Sequence, residues 1–228
     1  MQLPHRVQNG ISQSICVGHC TAQTRHRAAV TAPNDLAPLL RLLFHYPGGT
    51  IVRSALKVNC LTFVRPGELR KAKWSDIDVD SKTWSFVTSK TKTPLLVPLA
   101  TQVIAILEEL RPLTGSSQYV FPGGRSNKVP MSNNAVLAAM RSVGIPRDQM
   151  CGHGFRATAR TILDEVLGFR PEIIDMQLAH VVRDSLGRAY NRTQFLTQRR
   201  EMMQRWADYI ESLLAPEIRR LQIVGGRP

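Results

Sequence analysis

Hydrophobic residues recur at helical spacing along most of the chain. The first such run starts with Pro33, Asn34 and Asp35 and is stopped by Pro47, and a second run extends from Ile51 to about Phe63. Proline suits a first helical turn, so a short helix is predicted from Pro66 to Lys73. Further helices are predicted over residues 101–111, 132–143, 153–167, 171–180, 184–190 and 197–214.

One central region changes from the helical pattern to short extended segments. These segments are 77–79, 83–88 and 95–99, and they are joined by turns at 80–82 and 89–94. The sequence therefore predicts a mainly α protein with a small antiparallel β-sheet, an α+β fold. The second turn would present Lys90 and Lys92 at a hairpin tip, within reach of a ligand.

The ends of the chain differ from its middle. Residues 1–30 are poorly periodic and are predicted to be the end of a preceding domain followed by a linker. Residues 31–214 are predicted to form the main domain. Residues 215–228 contain Pro216, Gly225, Gly226 and Pro228 and are predicted to be a flexible tail.

Composition and charge indicate a globular protein that binds a polyanion. Of the 228 residues, 43% are hydrophobic and 21% are charged, and the formal net charge is +13. Such an excess of positive charge makes nucleic acid the first partner to consider. Arg53, Lys57 and Arg65 interrupt the most apolar region, so no membrane span is expected, and without a secretion signal the cytoplasm is the expected location.

The cysteines suit a reducing compartment, since they lack the spacing of a disulfide framework: Cys16, Cys20, Cys60 and Cys151. Zinc ligands could be sought in the group Cys16, His19, Cys20 and His26. No ordered second pair follows these residues, so a metal site is not expected.

A group of candidate catalytic side chains follows Cys151. His153 and Arg156 are three residues apart in a helical pattern, so both project from one face near a helix N-terminus, whose partial positive charge favours an anion. His180 and Tyr190 come next along the chain. A His and an Arg at this spacing are common on protein surfaces, so the pair by itself does not define a function.

The order of several longer motifs along the chain does indicate a function. The chain resembles the catalytic domain of tyrosine recombinases, most closely the integrases of temperate phages and genomic islands, over about residues 28–214. The motifs that carry the resemblance are LTFVRPGELRKAKWSDID (61–78), KTKTPLLVPL (90–99), HGFRATARTILDE (153–165), QLAHVVRDSLGRAYNRT (177–193) and RREMMQRWADYIE (199–211).

The resemblance implies a specific set of catalytic residues. They are the arginines Arg65 and Arg156, the hairpin lysine Lys90 with Lys92 as the alternative, the histidines His153 and His180, the nucleophile Tyr190 and the supporting acid Glu68. Tyr190 would attack the scissile phosphorus and form a 3′-phosphotyrosine, which conserves the energy of the broken bond for rejoining.

The residue types suit this chemistry. Arginine forks match the non-bridging oxygens of a pentacoordinate phosphorus. His153 would accept the phenol proton, Lys90 would protonate the leaving 5′-oxygen, and His180 would hydrogen-bond the phosphate. No step calls for a metal or a cofactor.

The resemblance also implies partners. They are double-stranded DNA, further copies of the chain in a tetramer on that DNA, and accessory proteins that bend DNA or set directionality, all at the bacterial nucleoid. The predicted last helix has an apolar face with Met202, Trp206 and Ile210. This face could dock on a neighbouring subunit or pack within the same chain.

The N-terminal region departs from the family pattern. Only HRVQNGISQSI (5–15) resembles the end of a core-binding domain, so the rest of that domain, which closes around DNA, is expected to be missing. DNA binding is therefore expected to be weak and salt-sensitive. Three readings follow: a recombinase catalytic domain of reduced activity, a non-catalytic DNA-binding remnant that competes with an intact recombinase, and, ranked lower, a topoisomerase that uses the same tyrosine chemistry.

Overall fold

The computed structural model describes residues 28–180 and 195–215, and it confirms the predicted mainly α fold with a small antiparallel sheet. Its helices are α1 (Pro33–Phe44), α2 (Thr50–Thr62), α3 (Pro66–Leu69), α4 (Thr101–Thr114), α5 (Ala135–Ser142), α6 (Gly154–Glu165), α7 (Pro171–Gln177) and α8 (Leu196–Leu214). Outside the described residues lie the predicted helix 184–190, Tyr190 and the group Cys16, His19, Cys20 and His26.

The three strands form one antiparallel meander in the order β1 (Ile77–Asp78), β2 (Thr83–Val87) and β3 (Pro94–Pro98). Trp84 pairs with Ile77 on one side and with Val97 on the other. Trp84 and Val97 are buried, whereas Val87 near the hairpin tip is exposed. The base of the hairpin is therefore anchored in the core, and its tip extends from the domain.

Helix α8 lies in the centre of the helical core and packs within its own chain. Its apolar face is almost fully buried, and Trp206 is the largest side chain there. The indole Nε1 donates to the carbonyl of Cys60 in α2 at 3.1 Å, and its rings meet those of Phe63 edge to face at 5.9 Å. Packing in cis thus accounts for the face that carries Met202, Trp206 and Ile210.

Helix α3 is shorter than predicted. Instead of continuing to Lys73, it ends at Leu69, and the following residues pair with a distant segment. Val120 donates its backbone N–H to the carbonyl of Ala72 at 2.9 Å, and Lys73 forms a β-bridge with Tyr119. A tertiary pairing therefore takes backbone groups that a longer helix would have used.

Helix α7 also ends earlier than predicted, at Gln177. Ala179 has a left-handed backbone with φ of 49°, and this reversal places His180 beyond the helix. In contrast, α4 continues past the predicted end to Thr114, with Pro112 in its last turn.

The described ranges also bear on membrane-spanning helices and on metal sites. No helix within 28–180 and 195–215 is long and apolar enough to cross a membrane. In the same ranges, no group of three or more His, Cys, Asp or Glu side chains is arranged to hold a metal ion.

The burial of Trp206 gives a test of the core. We expect Trp206→Ala to lower the free energy of unfolding by about 3–5 kcal/mol, because it creates a large cavity and leaves the Cys60 carbonyl without its donor. Urea unfolding followed by far-UV circular dichroism measures the change. Leu113→Ala is the control, since Leu113 is 62% exposed and its loss should change stability by less than about 0.5 kcal/mol. Equal effects of the two substitutions would contradict the central position of α8.

Candidate active site

Arg65 and Glu68 form the first part of the site at the start of α3. Phe63 ends α2 in a left-handed conformation with φ of 43°, and Arg65 is the N-cap of α3. The Glu68 carboxylate accepts from the backbone N–H of Arg65 at 3.3 Å and from its guanidinium Nη1 at 3.1 Å. The Arg65 side chain is only 15% exposed. Glu68 therefore holds the guanidinium of Arg65 in one orientation.

Arg156 of α6 joins this region to α7. Its Nη1 donates to the carbonyl of Phe63 at 3.2 Å, and its Nη2 donates to the carbonyl of Leu178 at 2.5 Å. Phe63 is the C-cap of α2 and Leu178 is the C-cap of α7. The guanidinium thus bridges two helix C-termini, where free carbonyls and the helix dipole favour a cation. A guanidinium has five N–H donors, so others are left for a ligand.

The charges of the two arginines act on each other. Burial is the larger cause that lowers the pKa of Arg156 to about 10, the charge of Arg65 lowers it further, and the carboxylate of Glu68 opposes them. At neutral pH Arg156 is still protonated, so two cations are held close together with one carboxylate. An anion bound between the two guanidinium groups would reduce their repulsion.

His153 is the half-buried N-cap of α6. The loop before it is fixed by Asn59 of α2, whose Nδ2 donates to the carbonyl of Gly152 at 3.2 Å. A Cβ atom at Gly154 would lie 2.3 Å from the carbonyl oxygen of Ala28, so only glycine allows this close approach. These contacts set the position of His153 relative to α2 and α3.

His180 lies at the end of the α7 segment with its side chain 51% exposed. Its Nδ1 is 3.2 Å from Oδ1 of Asp175, which also pairs with Arg160 at 3.3 Å. The carboxylate orients the ring and leaves Nε2 for another partner.

The hairpin tip contacts the same region through its backbone. The N–H of Ser89 donates to Oε1 of Glu68 at 3.3 Å, so one carboxylate holds both Arg65 and the hairpin. Lys90 and Lys92 are both exposed, and Lys92 has a left-handed backbone with φ of 53°. The structure thus brings the hairpin to the site without selecting one of the two lysines.

A cleft of about 1240 Å³ connects these elements. It runs from Glu68 along the hairpin to His180 and Arg199. Arg65 lies beside its Glu68 end through the ion pair with Glu68, and Arg156 reaches the neighbouring Phe63 carbonyl. His153 is the N-cap of the helix that carries Arg156, and Tyr190 lies outside the described residues. The roles assigned to these side chains remain predictions.

The hydrophobic pattern did not identify two buried polar residues near the site. Asn59 lies on the face of α2 that carries Ala55 and Leu56, and it is fully buried. Arg199 is 6% exposed and lies seven residues before Trp206 on the buried face of α8. In each case the spacing places a polar residue on an apolar face, and this is the signal that could have identified it.

The described fold is that of the tyrosine recombinases among solved structures. It is similar to XerA recombinase, with a TM-score of 0.55 and 17% identity over 94% of this chain and 70% of that one. It is also similar to the integrase from mycobacterium phage Brujita, with a TM-score of 0.59 and 17% identity over 95% of this chain and 67% of that one.

The sequence itself gives the family. The model of the phage integrase family matches residues 31–196, so the chain belongs to this family and the resemblance is confirmed. The integrase of Enterobacteria phage P4 is 36% identical over 208 residues, 84% of this chain and 47% of that protein. Prophage integrase IntA of Escherichia coli K12 is 36% identical over 200 residues, 85% of this chain and 48% of that protein. The chain therefore spans about half the length of these relatives.

The pair of arginines predicts that inorganic phosphate stabilises the protein. The folded-state pKa of Arg156, about 10, lies below that of a free guanidinium, so burying the cation costs stability at neutral pH and a bound anion offsets that cost. At about ten times the dissociation constant, phosphate should add about 1.4 kcal/mol to the free energy of unfolding. Thermal unfolding in phosphate and in chloride at equal ionic strength measures it.

Arg65→Gln should remove this difference between phosphate and chloride, because one of the two guanidinium groups is lost. Arg125→Gln changes the net charge equally at an exposed position and should retain the difference. If both variants still respond to phosphate, the anion does not bind at the arginine pair.

Proposed function

We propose that this chain carries the catalytic domain of a site-specific DNA recombinase that breaks and rejoins DNA through a 3′-phosphotyrosine. The observation that carries the proposal is that Arg65 and Arg156, 91 positions apart in the sequence, lie close enough for their charges to act on each other, beside the Glu68 carboxylate. Two guanidinium groups held by Glu68 and by helix C-termini are suited to a phosphodiester, whose charge increases in the transition state.

Each step of the proposed reaction uses one or more of the predicted residues. The phenol oxygen of Tyr190 attacks the scissile phosphorus while its proton passes to His153. The new bond joins phosphorus to the tyrosine oxygen, the bond to the 5′-oxygen breaks, and Lys90 protonates that oxygen. Arg65, Arg156 and His180 bind the non-bridging oxygens, and Glu68 keeps Arg65 in place. Attack by a DNA 5′-hydroxyl reverses the steps and releases the tyrosine.

Double-stranded DNA and further copies of the chain are the proposed partners. The net charge of +13 suits a DNA backbone. Among the similar solved structures are a lambda integrase dimer bound to a COC′ core site and a lambda integrase tetramer bound to a Holliday junction. We propose a corresponding assembly for this chain, in the bacterial cytoplasm at the nucleoid, with accessory DNA-bending or directionality proteins as additional partners.

Covalent trapping tests the reaction. A duplex library with a randomised core and a nick beside it lets the fragment that follows the cleaved bond diffuse away, so the enzyme stays attached to DNA. We expect the wild-type protein to form adducts that survive denaturant, and Tyr190→Phe to form none, because a phenyl ring has no oxygen to attack phosphorus. Tyr119→Phe is the matched control and should form adducts as the wild type does.

Two results would overturn parts of the proposal. An adduct that persists in Tyr190→Phe would remove that residue as the nucleophile. Retention of the library on a filter with no adduct from the wild-type protein would instead support the non-catalytic DNA-binding function.

A further inference from the structure

Arg199 is a buried cation for which the proposed reaction has no role. It lies in the first turn of α8 and is 6% exposed. Within residues 28–180 and 195–215 it has no carboxylate partner, and all of its hydrogen bonds go to neutral oxygens. Burial lowers the pKa of Arg199 to about 10, so the side chain remains a cation at neutral pH. A desolvated cation of this kind is costly, and its retention calls for an explanation.

The hydrogen bonds of Arg199 connect three elements. Its Nη2 donates to the carbonyl of Leu96 in β3 at 2.5 Å. Its Nε and Nη2 both donate to Oε1 of Gln177, the last residue of α7, at 3.0 and 2.6 Å. The planar fork of a guanidinium holds both acceptors in a fixed geometry, whereas a lysine ammonium is a compact charge on a flexible stem and does not fix that geometry. We use the name "clamp" for Arg199, Gln177 and Leu96.

The clamp lies between two proposed catalytic groups. Leu96 is on the strand that returns from the hairpin tip, and Gln177 is three residues before His180. Ser89 at the other end of the hairpin is held by Glu68. The hairpin that carries Lys90 and Lys92 therefore has one attachment to the Arg65 side of the cleft and one to the His180 side, and Arg199 makes the second.

We propose that Arg199 is a positioning residue for leaving-group protonation. Through Leu96 and Gln177 it fixes the lysine hairpin relative to α7, so that the hairpin amine meets the 5′-oxygen of the phosphate held by His180 and the arginines. In this role Arg199 acts through the hairpin and α7 and not on the reacting atoms. This inference rests on the proposed function, in which the hairpin supplies the proton.

The leaving group provides a readout that a merely structural role would not change. A 5′-bridging sulfur leaves as a thiolate without being protonated, because a thiol has a pKa of about 8.5, far below that of an alcohol. A defect in leaving-group protonation is therefore relieved by the sulfur substrate, whereas general damage to the site slows both substrates equally. The quantity to measure is the ratio of the cleavage rate of the sulfur substrate to that of the oxygen substrate, on a DNA site recovered from the covalent library.

Two variants separate the geometry of the clamp from its charge. Arg199→Lys keeps the cation and loses the fork. Gln177→Glu keeps an oxygen acceptor for the guanidinium and adds a negative charge that offsets that of Arg199. It also removes the Gln177 Nε2, which has no hydrogen-bond partner in the described part of the chain. Arg200→Lys is the matched control, since Arg200 is the exposed neighbour of Arg199. Far-UV circular dichroism confirms that each variant is folded.

We expect Arg199→Lys to raise the ratio by at least about tenfold, toward the value of Lys90→Ala, since a general acid typically contributes about 10²–10⁴ to a rate. Gln177→Glu and Arg200→Lys should keep the wild-type ratio. An unchanged ratio in folded Arg199→Lys overturns the proposal.

The failure of the proposed function would give a different result. If Lys90→Ala and Lys92→Ala both keep the wild-type ratio, the hairpin does not supply the proton and that part of the proposed function is wrong. A raised ratio in Arg199→Lys would then show that Arg199 affects protonation by another route, which overturns its role in positioning the lysine hairpin.

Discussion

The bridge from Arg156 to the carbonyls of Phe63 and Leu178 is the interaction on which the candidate site depends. Helix α2 leads into the segment with Arg65, and α7 leads into the segment with His180, while α6 carries His153 and Arg156. A single guanidinium thus fixes the ends of two helices relative to a third. Neutral helix C-termini provide this hold, so the cation keeps its full charge for a phosphate.

Other charged side chains near the site also hold segments together through directed hydrogen bonds. Glu68 accepts from Arg65 and from the backbone of Ser89, and Arg199 donates to Leu96 and Gln177. Arg199 joins three segments through hydrogen bonds with fixed directions, and Glu68 joins the start of α3 to the hairpin, 21 positions away. Buried charge is costly in stability, but it defines relative positions better than apolar contacts, which tolerate sliding.

Two of the residues with a left-handed backbone lie just before segments that carry candidate site residues. Phe63 directly precedes the segment with Arg65, and Ala179 directly precedes His180. A side chain in this region of φ and ψ costs about 1 kcal/mol or more relative to a right-handed conformation. The surrounding core opposes this cost at Phe63, where the ring packs against Trp206 of the central helix.

The sequence by itself determined the class of fold and the order of its elements, because hydrophobic periodicity, proline and glycine signals act locally. The residues to suspect followed from the motifs that resemble the tyrosine recombinases. The sequence predicted the strands to within a residue or two and all eight described helices, of which α3 and α7 are shorter than predicted. It also predicted Arg65, Glu68 and the histidine segment as parts of one site. The tertiary structure alone decided that α3 stops at Leu69, where pairing with Tyr119 and Val120 takes over its backbone. Only the structure decided that α8 packs in cis and that Arg199 and Asn59 lie buried. Their roles depend on partners 22 to 103 positions away, namely Gln177, Gly152 and Leu96, and no local pattern reports such contacts.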